Sequence, residues 1–188
     1  MSRETLSPAR LVAFSDGVIA VIITIMVLEL KVPALDGWAG LRVVWPTLFL
    51  YLLTFVQTGI YWVNHHYLVD EAKSVSHEAL WANLAFLFFL SLFPFATEWI
   101  GMKGLSSFST ALYALVSLLP GVCYSVLATK IRKHSVNPPH SSLEKQIASI
   151  TLYLLAIPAA YWRPAASIVM ICVVSMMWLL PPKVETAN

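Results

Sequence analysis

The chain has 188 residues, of which 59% are hydrophobic and 12% are charged, with a formal net charge of +2. A soluble domain has about 25% charged residues, so this composition excludes a large soluble domain and predicts one membrane domain over residues 1–188. A net charge this small excludes a nucleic-acid partner, since such a partner requires clustered Lys and Arg on one face.

Six apolar runs are each long enough to cross a bilayer, and a backbone in hydrocarbon must satisfy its own hydrogen bonds, which favours helices. The sequence therefore predicts an all-α integral membrane protein with six transmembrane helices. Arg163-Pro164 separates the last two runs and predicts a tight turn there. In chain order the runs extend over about Leu11 to Leu30, Val43 to Val63, Leu80 to Ile100, Ala111 to Ala128, Leu143 to Trp162 and Ala165 to Leu180.

The basic residues between these runs predict the orientation of the chain. With a cytoplasmic N-terminus, more Lys and Arg residues lie on the cytoplasmic side than on the other, an asymmetry that favours both termini inside. The cytoplasmic set comprises Arg3, Arg10, Lys73, Lys130, Arg132, Lys133, Lys145 and Lys183, and the opposite set comprises Lys31, Arg42, Lys103 and Arg163.

The first predicted helix has two different sides. At about 100° per residue, one side carries a line of small and branched aliphatic residues, with Thr24 at its edge. Copies of this line around a symmetry axis would enclose a narrow apolar pore. Apolar constrictions gate by dewetting, and a hydroxyl oxygen can replace part of the water shell of an ion. We call this line the first-helix stripe, and it comprises Gly17, Val21, Ile25 and Leu28.

Asp16 lies on the opposite side of the same helix. An ionisable group at membrane depth costs about 2.5–3.5 kcal/mol on insertion scales, so it should face protein or water and have a partner. We therefore expect Asp16 to hold helices together through polar contacts. Its candidate donors are Arg10, His65, Trp81 and Asn83.

Three motifs follow one another over the first hundred residues, one in each of the first three predicted helices. They are Arg10-x-x-x-Phe14-Ser15-Asp16 with Thr24, Tyr61-Trp62-Val63-Asn64-His65-His66, and Trp81-Ala82-Asn83-Leu84 with Ser91-Leu92-Phe93-Pro94-Phe95. In residue type and order they resemble the lysosomal-type potassium channel family called transmembrane protein 175. The rest of the chain resembles that family only as three further apolar spans.

The resemblance implies a potassium-selective channel in the plasma (inner) membrane of a bacterium, with K+ as the permeant ion and no cofactor. Single-repeat bacterial members have six helices and assemble as homotetramers, with a central pore lined by the first helix. By position, Val21 would be the central constriction, and Thr24 would contribute to selectivity. Ile25 and Leu28 would form further apolar rings. The structural polar network would comprise Arg10, Phe14, Ser15, Asp16, His65, Trp81 and Asn83.

One position departs from the family pattern. Members of the family carry isoleucine where this chain has Val21. Valine is one methylene smaller, which predicts a slightly looser seal at the constriction.

From the residues alone, simpler interpretations stay open. The Thr24 hydroxyl is as readily a partner for its own helix backbone, and the first-helix stripe equally suits a lipid-facing or core surface. Arg10 would also serve as a cytoplasmic anchor. A metal site at His65, His66 and Asp70 is not expected, because zinc sites gather three or four ligands at defined spacings and interfacial hydrogen bonding is the simpler interpretation.

Three functions remain beside a channel. A secondary transporter, coupled to cations or protons, would use broken helices, for which Pro94 and Pro158 are candidates, although no matching pair of charged residues accompanies them. A membrane enzyme would need converging catalytic groups, and only the His65-His66 pair qualifies, so an enzyme is not expected. A non-conducting scaffold is compatible with everything above.

Overall fold

The computed structural model describes residues 7–70, 72, 74–133 and 143–179, which are folded mainly into α-helices. Two of the helices, α3 and α4, occupy the third predicted run, so the predicted all-α architecture of six helical runs is confirmed. Leu180 and the basic residues Arg3, Lys73 and Lys183 lie outside the described residues. The helices are α1 (Pro8–Leu28), α2 (Gly37–Asp70), α3 (His77–Leu90), α4 (Phe93–Lys103), α5 (Ser107–Arg132), α6 (Leu143–Trp162) and α7 (Pro164–Leu179).

Length and composition suit most of this chain to a bilayer. Within the described residues, α1, α2, the stretch of α3 and α4, and α5 are each long and apolar enough to cross a membrane. α7 is apolar but shorter, with 16 residues. It follows α6 after a break at Arg163, as predicted, and the two helices pack against each other.

α2 is longer than the sequence predicted. It runs for 34 residues, beyond the predicted limits of Val43 and Val63 at both ends. The prediction ended the helix at the polar cluster Asn64-His65-His66. His65 is instead fully buried and bonded to Asn83 of α3, so this polar side chain belongs to the interior of the bundle and does not end the helix.

The break between α3 and α4 has a local cause in Pro94. Proline has no N–H, and its ring crowds the carbonyl four residues earlier, here that of Leu90, the last residue of α3. The Leu92 N–H instead bonds to the carbonyl of Phe89, only three residues earlier, at 3.2 Å, which makes a tight turn between the two helices. The third predicted run is therefore one apolar stretch with a bend.

α5 lies at the centre of the bundle, packed against α3, α4, α6 and α7, whereas α1 packs against α2, α3 and α4. A buried network joins α5 to its neighbours. Tyr113 OH donates to Gln57 Oε1 at 2.9 Å, and Gln57 Nε2 donates to Tyr153 OH at 3.1 Å. Thr54 Oγ1 lies 2.8 Å from both Tyr113 OH and Thr97 Oγ1. Since α2, α4, α5 and α6 share these bonds, they form one block against which α1 is placed.

Candidate functional site

α1 has one face in the core of the protomer and one face open. The first-helix stripe is on the open face, where Val21 is 54%, Ile25 42% and Leu28 69% exposed. Gly17 is exposed as well, and a Cβ added there would meet nothing within 4 Å. The opposite face is buried and comprises Leu11, Ser15, Ile19, Ile22 and Met26.

A wide groove runs beside the first-helix stripe, between α1 and the bend of α3 and α4. Its volume is about 740 Å³, and its walls are mostly apolar. Two carboxylates, Glu29 and Glu98, line the groove together with Val21 and Ile25. Glu98 lies within α4 and is half-buried. The open face of α1 is thus both apolar and bordered by acidic groups.

Thr24 combines two of the interpretations that the sequence left open. Its Oγ1 donates to the carbonyl of Val21 at 2.9 Å, so the hydroxyl proton is held by its own helix. The side chain nevertheless lies on the exposed side of α1. Because the hydroxyl proton is used in this bond within the helix, the lone pairs of Oγ1 are free to face an ion or water.

The buried side of α1 is held by a small polar cluster that also involves α2 and α3. Asn83 Nδ2 donates to Ser15 Oγ at 3.0 Å, and His65 Nε2 lies 2.8 Å from Asn83 Oδ1. All three side chains are fully buried. Since the amide oxygen can only accept, His65 carries its proton on Nε2. Three residues predicted for the polar network therefore meet at one point.

This cluster fixes the rotation of α1 about its own axis. His65 stacks on Phe86 with ring centroids 5.8 Å apart, so the ring that orients Asn83 is itself held in place. Turning α1 would break the bond to Ser15 and leave buried polar atoms unpaired, which costs about 1–3 kcal/mol for each group. The cluster therefore directs the first-helix stripe away from the protomer.

The structure gives Asp16 a partner that the sequence did not suggest. Trp62 Nε1 donates to Asp16 Oδ1 at 2.9 Å, which links α1 to α2. Trp62 stacks in turn on His66. A tryptophan at membrane depth needs an acceptor for its N–H, so Trp62, three residues before His65, carried a signal that could have identified it.

The other predicted network residues lie apart from this cluster. Trp81 Nε1 donates to His77 Nε2 at 2.9 Å, one turn earlier on α3, and does not reach Asp16. Phe14 is 53% exposed on the open face of α1. The side chain of Arg10 is exposed and makes no ion pair with the described residues, so none of the expected donors bonds to Asp16 in the protomer. Among the described residues, no group of three or more His, Cys, Asp or Glu is placed to hold a metal.

Sequence comparison relates this chain to potassium channels. The family model described as endosomal/lysosomal potassium channel TMEM175 matches residues 10–94. A potassium channel of Chryseobacterium sp. (strain P1-3) is 40% identical over 183 residues, which cover 95% of each chain. A potassium channel of Streptomyces collinus (strain DSM 40733 / Tue 365) is 33% identical over 126 residues, or 63% of this chain and 61% of the relative.

Structure comparison agrees with the sequence comparison on the fold. The crystal structure of a lysosomal potassium-selective channel TMEM175 homolog from Chamaesiphon minutus superimposes with a TM-score of 0.80 and 24% identity. The match covers 92% of this chain and 96% of that chain, so it extends well beyond the first three helices.

Proposed function

This chain belongs to the TMEM175 potassium channel family, and on that premise we propose that it is a potassium-selective channel that conducts K+ passively across a bacterial plasma membrane. The family is one of channels rather than enzymes. The proposed pore is formed by the first-helix stripes of four copies of the chain, and it needs no resident cofactor.

The observation that carries this proposal is the difference in burial between the two faces of α1. Within one protomer the buried face is locked to α2 and α3, while the apolar first-helix stripe is exposed. An exposed apolar face of a membrane helix suits either lipid or another copy of the same helix. The groove beside it, bordered by Glu29 and Glu98, favours a path that attracts cations over a face in contact with lipid.

The chemistry of the proposed pore is partial dehydration at a narrow apolar ring. In the proposed tetramer Val21 is the central constriction, and Ile25 and Leu28 form further rings, each of which closes the path to water when it is narrow. The Thr24 oxygen has free lone pairs and offers K+ a substitute for part of its lost hydration. Because Val21 is smaller than isoleucine, the seal is expected to be looser than one made of isoleucine.

The remaining network residues have supporting roles in this proposal. Ser15, His65 and Asn83 set the rotation of α1, and Asp16 with Trp62 joins α1 to α2. Arg10, Phe14 and Trp81, which are exposed in the protomer, are then available for contacts between copies. Both termini are cytoplasmic in the proposed orientation, by the distribution of Lys and Arg.

A coupled transporter is the second candidate, and the bend at Pro94 is the observation that favours it. Transporters commonly place discontinuous helices at the binding site, near the middle of the membrane. Here the bend faces the groove that carries Glu98. A channel moves K+ only down its gradient, whereas a transporter can move it against one, so flux experiments separate the two.

The experiment is a flux assay on purified full-length protein in sealed proteoliposomes, with protein-free vesicles as the control. We expect downhill K+ flux to exceed Na+ flux under matched gradients and to persist when pH and Na+ gradients are collapsed. K+ accumulation against its gradient would establish the transporter instead. Absence of flux from folded, inserted protein would contradict the proposed channel.

A further inference from the structure

The N-terminal end of α2 carries an open surface on the side away from the bundle. This α2-end surface surrounds a shallow depression of about 340 Å³. Trp38 is 80% and Trp45 64% exposed, and neither indole has a hydrogen-bond or aromatic partner among the described residues. The α2-end surface consists of Trp38, Leu41, Arg42 and Trp45.

Local structure explains why this surface faces outward. α2 follows a turn at Gly37, which has φ +65°, and the Asp36 carboxylate accepts from the Gly37 N–H at 2.7 Å. The chain before the helix then packs against Gly40, where an added Cβ would lie 2.0 Å from the carbonyl oxygen of Leu35. At about 100° per residue Arg42 lies nearly opposite Gly40. The preceding loop therefore covers one side of the first turns and leaves the α2-end surface free.

The length of α2 places this surface at the level of lipid headgroups. A helix of 34 residues extends for about 51 Å at 1.5 Å per residue, against about 30 Å of hydrocarbon in a bilayer. The apolar part of α2 begins close to Val43, so the turn that holds Trp38 and Arg42 emerges from the hydrocarbon. Indole rings favour this boundary, where one edge is apolar and the other is wet.

Arg42 is the charged centre of the surface. No carboxylate of the described residues lies within ion-pair distance of its guanidinium, since the ion pairs there are Lys31 with Glu29 and Lys130 with Glu78. A guanidinium presents a planar fork of donors that matches phosphate oxygens in bidentate geometry. An unpaired Arg between two exposed indoles therefore offers a phosphate site with apolar walls.

We propose that the α2-end surface binds the headgroup of an anionic phospholipid. The guanidinium of Arg42 pairs with the lipid phosphate, and Trp38 and Trp45 contact the glycerol region and the upper part of the acyl chains. Leu41 extends the apolar wall between them. The bound lipid would anchor the beginning of α2, the helix that also bonds to α1 through Trp62 and Asp16.

The test is native mass spectrometry of the purified full-length protein, with phosphatidylglycerol titrated into the detergent and phosphatidylcholine as the comparison lipid. We expect Arg42→Ala to weaken phosphatidylglycerol binding about tenfold, because it removes hydrogen bonds to a charged group. Arg42→Lys keeps the charge but loses the planar fork of donors. Its affinity for phosphatidylglycerol should therefore lie between those of the wild type and Arg42→Ala. Trp45→Leu, which keeps apolar volume but removes the indole, should weaken binding less than Arg42→Ala.

Arg163→Ala is the matched control, since Arg163 is an exposed arginine beside an exposed tryptophan, Trp162, but outside α2. An equal loss of lipid from Arg163→Ala would show unspecific attraction of anionic lipid and overturn the proposal. Competition by inorganic phosphate as effective as that of phosphatidylglycerol would identify a site for free phosphate instead. Dissociation of the oligomer by Arg42→Ala, with lipid binding unchanged, would make the surface a contact between copies.

Discussion

α1 and α5 are both apolar enough to cross a membrane, yet the protomer uses them in opposite ways. Of the residues in the apolar window of each helix, 56% are buried in α5 and only 28% in α1. α5 contacts helices on several sides and carries Tyr113, the central member of the buried network. α1 is held on one side only, and its apolar first-helix stripe remains open.

This difference shows that apolar character alone does not indicate where a membrane helix lies. Burial of α5 is explained by its own protomer, because Tyr113 and Tyr124 donate to groups on α2 and the apolar side chains of α5 fill the core. The open face of α1 has no such explanation within one chain. This face must be covered from outside the protomer, either by neighbouring copies around a pore or by lipid.

The largest expected effect is on conduction, from a change in the first-helix stripe. Val21→Phe should lower K+ flux in proteoliposomes to nearly the level of protein-free vesicles, because the added rings would fill the narrow apolar path of the proposed tetramer. Stability should change little, since Val21 is 54% exposed in the protomer. K+ efflux, together with a thermal unfolding curve in detergent, measures both quantities.

Val169→Phe is the control for this experiment. Val169 is an equally exposed valine, at 60%, but it lies on α7. The same substitution there should leave flux unchanged if only α1 lines the path. Equal flux from the Val21 and Val169 variants would place the first-helix stripe in lipid and remove the contrast between α1 and α5.

The next largest expected effect is on stability, from a change in the polar cluster that holds the buried face of α1. Asn83→Ala should lower the free energy of unfolding by about 2 kcal/mol, because Ser15 and His65 both lose their partner while buried. Asn64→Ala is the matched control, since the Asn64 side-chain amide donates to the Ile60 carbonyl of its own helix and makes no bond to another helix among the described residues. Chemical or thermal unfolding in detergent measures both. A loss no larger than that of Asn64→Ala would mean that the cluster does not hold α1.

A smaller effect on the free energy of unfolding is expected from a change in the buried network around α5. Tyr113→Phe removes one hydroxyl from the buried network and leaves Gln57 Oε1 without its donor, which should cost about 1 kcal/mol. Tyr67→Phe, at a position that is 65% exposed, should cost nothing measurable. The same unfolding assay compares them. Loss of flux without loss of stability in Tyr113→Phe would contradict a purely structural role for α5.

Much of the fold followed from the sequence, because apolar runs and local breaks are local properties. The six helical runs and the turn at Arg163 each depend on neighbouring residues, and the resemblance to the family is confirmed. Of the two prolines that were candidates to break a helix, Pro94 follows the break between α3 and α4, whereas Pro158 lies inside α6. The predicted end of α2 was wrong because the burial of His65 depends on α3, which lies close in space rather than in sequence.

The partners of Asp16 could not be predicted for a related reason. Helical periodicity gives the direction of a side chain around its own helix, but it does not give the rotation of one helix relative to another. Several donors near the same membrane face were therefore equivalent on sequence grounds, and packing selected Trp62. The central place of α5 was hidden in the same way, since it depends on which helices surround α5, and α5 is less apolar than the open helix α1.

The smallest effect, and the one that sharpens the comparison most, is at Thr24. Thr24→Val keeps the shape of the side chain and removes the oxygen, so the K+ to Na+ permeability ratio should fall about two- to fivefold, which corresponds to roughly 0.5–1 kcal/mol. Bi-ionic reversal potentials in planar bilayers measure this ratio. Thr129→Val on α5 is a close control, because the Thr129 hydroxyl is also exposed and also donates to its own helix, to Ser125 O at 2.9 Å.

Both threonine hydroxyls thus bond to a carbonyl of their own helix, three residues earlier for Thr24 and four residues earlier for Thr129, but they lie on different helices. If both variants keep the wild-type ratio, the Thr24 hydroxyl serves its own backbone and nothing more, and selectivity must arise elsewhere along the path. If only Thr24→Val lowers the ratio, the open face of α1 acts on the ion. The contrast between α1 and α5 is then one of function as well as burial.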